Sequence, residues 1–353
     1  MKKKLLMMLI LLMVLSAFAF AEGQQEEEGE ELWPRTQPVV TVGFGAGGGT
    51  DTAVRPIIAE MEEFLGTTIN VVNMEGASSA VAARHVLNSP ADGYSMFATG
   101  SGPFSIFRVM GTADTNWEDW ASFHPFSGPA VLLVRPDSDV ENFEDAINSI
   151  ANDDINMGIS GFGVGPHVLI EAILGVAGVD SPNYVTGGSC RKAAVALISG
   201  DVDMAVATFS AAVDFVKAGE LKALAVTTAE EYNLDDVVVP SITEVLDGSE
   251  NIPMLSETWP ILIRRDVPQK YIDALTEAFE YAIEQPNIVE YADSQALDIV
   301  GYHGEEADRF LSLQESGYSW TVYNADLASK SPEEFGISKL QEWDWETEKQ
   351  KIE

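Results

Sequence analysis

A β-branched run at 39–44 leads into Gly43-Phe44-Gly45-Ala46-Gly47-Gly48-Gly49-Thr50-Asp51, and a helical pattern starts where these residues end. Glycine tolerates positive φ and lets backbone N–H groups approach a ligand closely. A helix N-terminus placed behind such a loop adds partial positive charge. Together they make a cradle for a small anion that needs neither lysine nor arginine. The same residues also suit a plain strand-to-helix turn with nothing bound. Gly43, Gly45 and Gly48 satisfy G-x-G-x-x-G, but a dinucleotide site needs an acid at the end of the second strand, where Asn73 and Glu75 stand. A phosphate loop would continue into Gly-Lys-Ser/Thr, and this one does not.

Two later segments repeat the arrangement. Gly163-Val164-Gly165-Pro166-His167 and Gly188-Ser189-Cys190-Arg191 each set glycine ahead of a helical pattern. Three helix starts facing one cleft could hold a carboxylate, each contributing up to about 1 kcal/mol when partly exposed. In this scheme the N–H groups of 45–49 and 163–167 carry the anion, and Ser189 and Thr99 add hydroxyls. Enzyme signatures are missing: there is no G-x-S-x-G, no H-E-x-x-H and no informatively spaced Cys–His pair. Cys190 is the single cysteine, which excludes an intrachain disulfide and a cysteine metal cluster, and no two of the four histidines share ligand spacing. No cofactor or metal is expected, and a secreted hydrolase has little to stand on.

These loops need elements to hold them. The pattern reads strand 39–44, helix 51–65 closed by Gly66, strand 68–72, helix 78–87 stopped by Ser89-Pro90, and strand 94–98. A second series follows: strand 130–134, helix 143–150, strand 156–159, helix 167–174, helix 192–198, strand 202–207, helix 211–217 and strand 221–227. Amphipathic helices are expected at 271–284 and 305–320. Alternating strands and helices point to parallel α/β sheets.

The chain resembles a known family in VVTVGFGAGGGTDTAVRPIIAEMEEFLG, INVVNMEGASSAVAARHVL, SPADGYSMFATGSG, GISGFGVGPHVLIEAI, GGSCRKAAVALISGDVDMAVAT and ELKALAVTT. Their order and spacing, over about 39–311, are similar to the extracytoplasmic solute receptors of the tripartite tricarboxylate transporter family, the Bug/TctC type. The resemblance implies a two-domain α/β fold, like a type II periplasmic binding protein or Venus flytrap, with the ligand cleft between the domains. It implies lobe one at 36–129 and 229–329, lobe two at 130–228, and a charged tail or terminal helix, loosely packed, at 330–353. Carried over by position, the ligand contacts are Phe44, Gly45, Ala46, Gly47 and Gly48, then Thr99 and Ser101, then Gly163, Val164, Gly165 and His167, and finally Gly188, Ser189 and Cys190. The implied ligand is a small organic carboxylate, and the implied partners are the large and small membrane subunits of such a transporter. A sensor subunit that binds the same ligand for signalling is the alternative. Several positions depart from the family pattern. Gly43 replaces a proline, Thr186-Gly187 replaces a Tyr-Lys, and Ala207-Thr208 replaces an acid that would pair with a ligand amine. Arg191 and Lys192 form an added basic pair, suited either to a second ligand carboxylate or to a solvated helix start. Cys190 either lines the cleft or fills space.

Composition bounds the rest. Lys2 to Lys4, an apolar stretch at 5–20 and Ala19-Phe20-Ala21 have the form of a secretory signal cleaved after Ala21, at 1–21. The acidic, low-complexity stretch after it suits a disordered tether at 22–35. With 20 basic and 56 acidic residues the formal charge is -36, which argues against nucleic acid as a partner. An anion must then be won by local donors against a repelling long-range field.

Overall fold

The computed structural model describes residues 33–353 except 153, 229, 235–236, 250–251, 253–255 and 353. The expected signal and nearly all of the tether lie outside the described residues. The first three strands, β1 (Val39–Val42), β2 (Asn70–Asn73) and β3 (Ser95–Ala98), pair in parallel in the order β2-β1-β3. Val40, Val42, Met96, Phe97 and Ala98 are all buried, as expected of parallel strands covered on both faces. The crossover helices are Gly49–Leu65 and Ala80–Leu87. Gly66 ends the first of these in the left-handed region at φ 64°, as the sequence predicts.

β4 runs from Trp120 to Val134 without a break. The sequence suggests a strand only at 130–134, and Pro125 and Pro129 lie in the part left out. Proline is tolerated where its missing N–H is not needed by the ladder. Here the partner changes along the strand. Trp120–Phe123 pair with β12 (Ile261–Arg264), the middle pairs with β13 (Asp298–Tyr302) and β11 (Ser256–Thr258), and Ala130–Leu133 pair with β7 (Met204–Thr208). The register against β13 shifts between Ile299 and Tyr302, opposite the segment that contains Pro125.

Beyond β4 the second series forms another α/β layer. β5 (Asn156–Ile159) lies between β6 (Asn183–Thr186) and β7, all parallel, while β8 (Lys222–Val226) runs antiparallel to β4. A small hairpin, β9 (Tyr232–Leu234) with β10 (Val237–Val239), completes the strands. The order β2-β1-β3-β12-β4-β7-β5-β6 therefore carries both series, joined through β4. One core gathers Phe97, Phe104, Trp117, Trp120 and Leu262, and another gathers Met157, Val168, Leu169 and Met204.

The helix Gly304–Asn324 belongs to both cores. Leu311 packs in the first, while Tyr318 and Val322 pack in the second. The segment after it is not loose, contrary to the sequence expectation. Trp345 is 9% exposed, its ring centroid lies 6.0 Å from that of Trp117, and its Nε1 donates to Glu305 Oε1 at 2.8 Å. Ser338 accepts from Ser316 and Trp320 through its carbonyl and donates to Glu348 through its hydroxyl. A charged composition hides two tryptophans that anchor the tail. Trp345→Ala should cost about 3 kcal/mol, the usual cost of emptying a buried aromatic site. Urea unfolding followed by circular dichroism would measure this, and a loss below about 0.5 kcal/mol would mean that the tail is only laid on the surface.

Candidate functional site

Three helices start at one cleft of about 670 Å³: Gly49–Leu65, Gly165–Ala177 and Cys190–Ser199. Of the residues singled out from sequence, Phe44, Gly45, Ala46, Gly47 and Gly48 line it on one side. Val164, Gly188, Ser189, Cys190 and Arg191 line it on the other. Thr99, Ser101, Gly163, Gly165 and His167 are not among the lining residues, and the reasons are local. Thr99 Oγ1 lies 2.6 Å from Ser79 Oγ and is fully buried. Ser101 Oγ accepts the N–H of Thr258 at 3.0 Å, which fixes β11 behind the cleft wall.

Several of the donors assigned to the ligand from sequence are used by the loops themselves. Gly47, at φ 73°, donates its N–H to Asp51 Oδ2 at 2.9 Å, and Gly48 donates to the Gly45 carbonyl at 3.0 Å. Gly48 is the N-cap residue. Asp51 caps from inside the helix, and also accepts from Arg55 at 2.9 Å and Asn73 at 2.9 Å. Burial alone would raise the Asp51 carboxyl, but these bonds outweigh it and hold its pKa below the usual value. Asn73, which stands where a dinucleotide fold would put an acid, also ties down the Phe44 carbonyl at 2.9 Å.

The second loop repeats the device with a different residue. Gly163, at φ 74°, donates its N–H to His167 Nδ1 at 3.1 Å. His167 is buried against Phe162 and Tyr184, and burial lowers its pKa to about 4, so the imidazole is neutral. It is a cap within the wall rather than a cationic ligand contact. In the third loop Ser189 Oγ accepts the N–H of Lys192 at 3.2 Å. Arg191 is exposed at the cleft rim, with its guanidinium 4.7 Å from the Phe215 ring centre and 3.8 Å from Asp214. Cys190 does line the cleft, and burial raises its thiol pKa above the usual value.

Two features are invisible to sequence reasoning. The first is Glu257, on β11, which lines the cleft and is 5% exposed. A Cβ placed on Gly100 would lie 2.2 Å from its Oε1, and one on Gly165 would lie 2.1 Å from its Oε2. Burial pushes its pKa up to about 8, against the pull of hydrogen bonds from the Gly102 and Gly165 N–H groups. Gly165 therefore makes room for an internal carboxyl. The second is Thr208, at the end of β7. The residue lines the cleft and is 4% exposed, while its closed-off hydroxyl has no oxygen or nitrogen partner and meets only the Cys190 thiol. A thiol is a weak acceptor, so this hydroxyl is poorly satisfied. No sequence pattern marks Glu257, whose contacts are distant in the chain, and the sequence marks Thr208 only as part of the pair that stands where the family carries an acid.

A methyl group added to Gly47 would meet no atom within 4 Å, so only the positive φ of this residue resists substitution. Gly47→Ala should cost about 1–2 kcal/mol through the backbone alone. Gly165→Ala should cost a similar 1–3 kcal/mol, roughly, through collision with Glu257. Chemical denaturation of a double-mutant cycle separates the two. Glu257→Ala should relieve Gly165→Ala by more than about 0.5 kcal/mol and leave the cost of Gly47→Ala unchanged. Equal costs in both backgrounds would place the Glu257 carboxyl elsewhere.

Comparison with known proteins fits this geometry. A family model described as Tripartite tricarboxylate transporter family receptor matches residues 53–319. A UPF0065 protein of Bordetella pertussis is 27% identical over 303 residues, covering 80% of this chain and 88% of that protein. Among solved structures, the periplasmic binding protein BugD superposes with a TM-score of 0.74 at 19% identity, over 84% of this chain and 99% of its own. The R. palustris protein Rpa4515, solved with adipate, gives 0.75 at 22% identity, again over 84% and 99%. The fold is thus the two-domain α/β fold of periplasmic binding proteins, with the cleft between its halves.

Proposed function

Because the chain belongs to the tripartite tricarboxylate transporter receptor family, we propose that it captures a small organic carboxylate, of the di- or tricarboxylate class, and delivers it to the large and small membrane subunits of such a transporter. It works outside the cytoplasmic membrane, exported by the signal pattern at 1–21, and it binds and releases its ligand without transforming it. The lobes divide at 129/130 and 228/229, so that the first glycine loop faces the second and third across the cleft.

The observation that carries this reading is a cleft of ligand size onto which three helices open, with Thr208 in its wall. The Thr208 hydroxyl meets only the Cys190 thiol, a weak acceptor, and so keeps a hydrogen bond to offer a ligand. A carboxylate oxygen would accept it. Gly45, Ala46, Gly49 and Ser189 offer further polar backbone on the cleft walls, and Arg191 offers charge at the rim. The adipate seen in Rpa4515 makes dicarboxylates of four to six carbons the first compounds to test. The missing acid after β7, where Ala207-Thr208 stand, favours ligands without an amine there.

Mass spectrometry of ligand retained by gently purified protein would identify the natural compound, and titration calorimetry would rank the dicarboxylates. Thr208→Val then provides a two-sided test. Affinity should fall about fivefold, the worth of one hydrogen bond of about 1 kcal/mol. Stability of the ligand-free protein should stay level or rise, because an unsatisfied buried hydroxyl is removed. Unchanged affinity together with lost stability would mean that Thr208 is bonded within the protein.

A further inference from the structure

Glu257 is an acid where a receptor for acids would least be expected to keep one. Its carboxyl forms part of the cleft wall, and among the described residues it has no ion pair. Its partners are the N–H groups of Gly102 and Gly165. The small residues around it are shaped to it, since a methyl on Gly100 or Gly165 would overlap its oxygens. Thr208, on the same cleft, has no oxygen or nitrogen partner for its hydroxyl, and the Cys190 thiol lies close enough to feel both groups.

We propose that Glu257 is a ligand contact that carries a proton, and that its carboxyl donates this proton to a carboxylate oxygen of the bound ligand. This rests on the carboxylate reading above. Two carboxylates confined to one dry site cannot both stay ionised, and one proton shared between them turns repulsion into a hydrogen bond. No bond to carbon changes. Only a proton is involved: it already sits on Glu257 where that group is protonated, and elsewhere it is taken from solution on binding and returned on release.

The neighbouring groups do not compete for that proton. Tyr318, on the helix Gly304–Asn324, feels the Glu257 charge, and its phenol pKa is raised by burial and by that charge. The Cys190 thiol is likewise raised, chiefly by burial. His167 is neutral, held low by burial. Glu75, Asp201, Arg191 and Lys192 also line the cleft. On its own strand Glu257 is followed by Thr258, whose hydroxyl meets His124, itself lowered to about 3 by burial.

The sign of the pH dependence follows. In the empty protein Glu257 is pushed up to about 8, and a ligand anion beside it raises it further. Below about pH 8 the proton is already present, so binding takes up none and affinity is flat. Above it the proton must come from solution, and affinity falls about tenfold per pH unit.

The test is calorimetry of the intact protein with adipate from about pH 6.5 to about pH 9.5, in pairs of buffers with different ionisation heats. Close to one proton should be taken up per adipate at the alkaline end, and close to none at the acid end. Glu257→Gln should abolish the uptake and flatten the affinity profile. Cys190→Ser should keep the slope whatever it does to affinity. Should Glu257→Gln fail to fold, the proton count on the native protein decides alone. Adipate binding with no proton uptake at the alkaline end, uptake that persists in Glu257→Gln, or affinity that strengthens with pH would each overturn the proposal. If neither adipate nor shorter dicarboxylates bind at any pH, the carboxylate reading falls, and the role of Glu257 falls with it.

Discussion

Helix starts leave N–H groups without partners, and a protein that gathers three of them at one cleft must supply acceptors or leave room for a ligand to supply them. Here much of the supply is internal. Asp51 closes the first loop on the Gly47 N–H, His167 closes the second on that of Gly163, and Ser189 closes the third on that of Lys192. The loops are therefore held in shape before any ligand arrives. What remains open to a ligand is smaller and more selective than three free cradles would be. In the proposed reading it is the backbone rim of the first loop, the Thr208 hydroxyl and the carboxyl of Glu257.

β4 is what allows the walls to face one another. Its first residues pair with β12 and its last with β7 and β8, so a single strand runs through both α/β series. The helix Gly304–Asn324 is a second connection, with side chains in both cores. At the edge of the cleft, Ser78 donates its hydroxyl to the Phe162 carbonyl at 3.1 Å, which joins the turn after β2 to the second glycine loop. Both residues are solvent-accessible, so this contact adds little to stability.

Much of this is legible in the sequence because it is local. The β-branched run into glycine marks β1 and its loop, and Gly66 marks the end of the first helix. The family motifs carry the fold and the cleft. The departures have physical causes. Pro125 and Pro129 lie in the part of β4 left out, yet β4 changes partners near them and needs no N–H from them. The tail reads as loose because its charge outweighs its tryptophans in composition, although Trp345 alone fills a gap beside Trp117. The loop N–H groups count as free in sequence because Asp51 and His167 look like ordinary first-turn residues, and only the folded chain shows their side chains turned back on the loop. Glu257 escapes for a different reason. It becomes a wall of the cleft by meeting Gly100, Gly102 and Gly165, which lie far from it in sequence.

The formal charge of -36 makes this sparing use of cations understandable. A strongly acidic protein repels anions at long range, and salt screens that repulsion only beyond roughly 8–10 Å. Inside the cleft, distance no longer helps, so selectivity rests on groups in direct contact. A lysine or arginine deep in the wall would bind almost any small anion. The described cleft instead keeps Arg191 and Lys192 exposed, the former shared with Asp214, and buries Thr208 and Glu257 in its wall. A neutral hydroxyl and a protonated carboxyl reward an acceptor only when its geometry is right, since each offers one directed bond and little field. Capture by such groups would give up affinity for anions in general in exchange for discrimination among them.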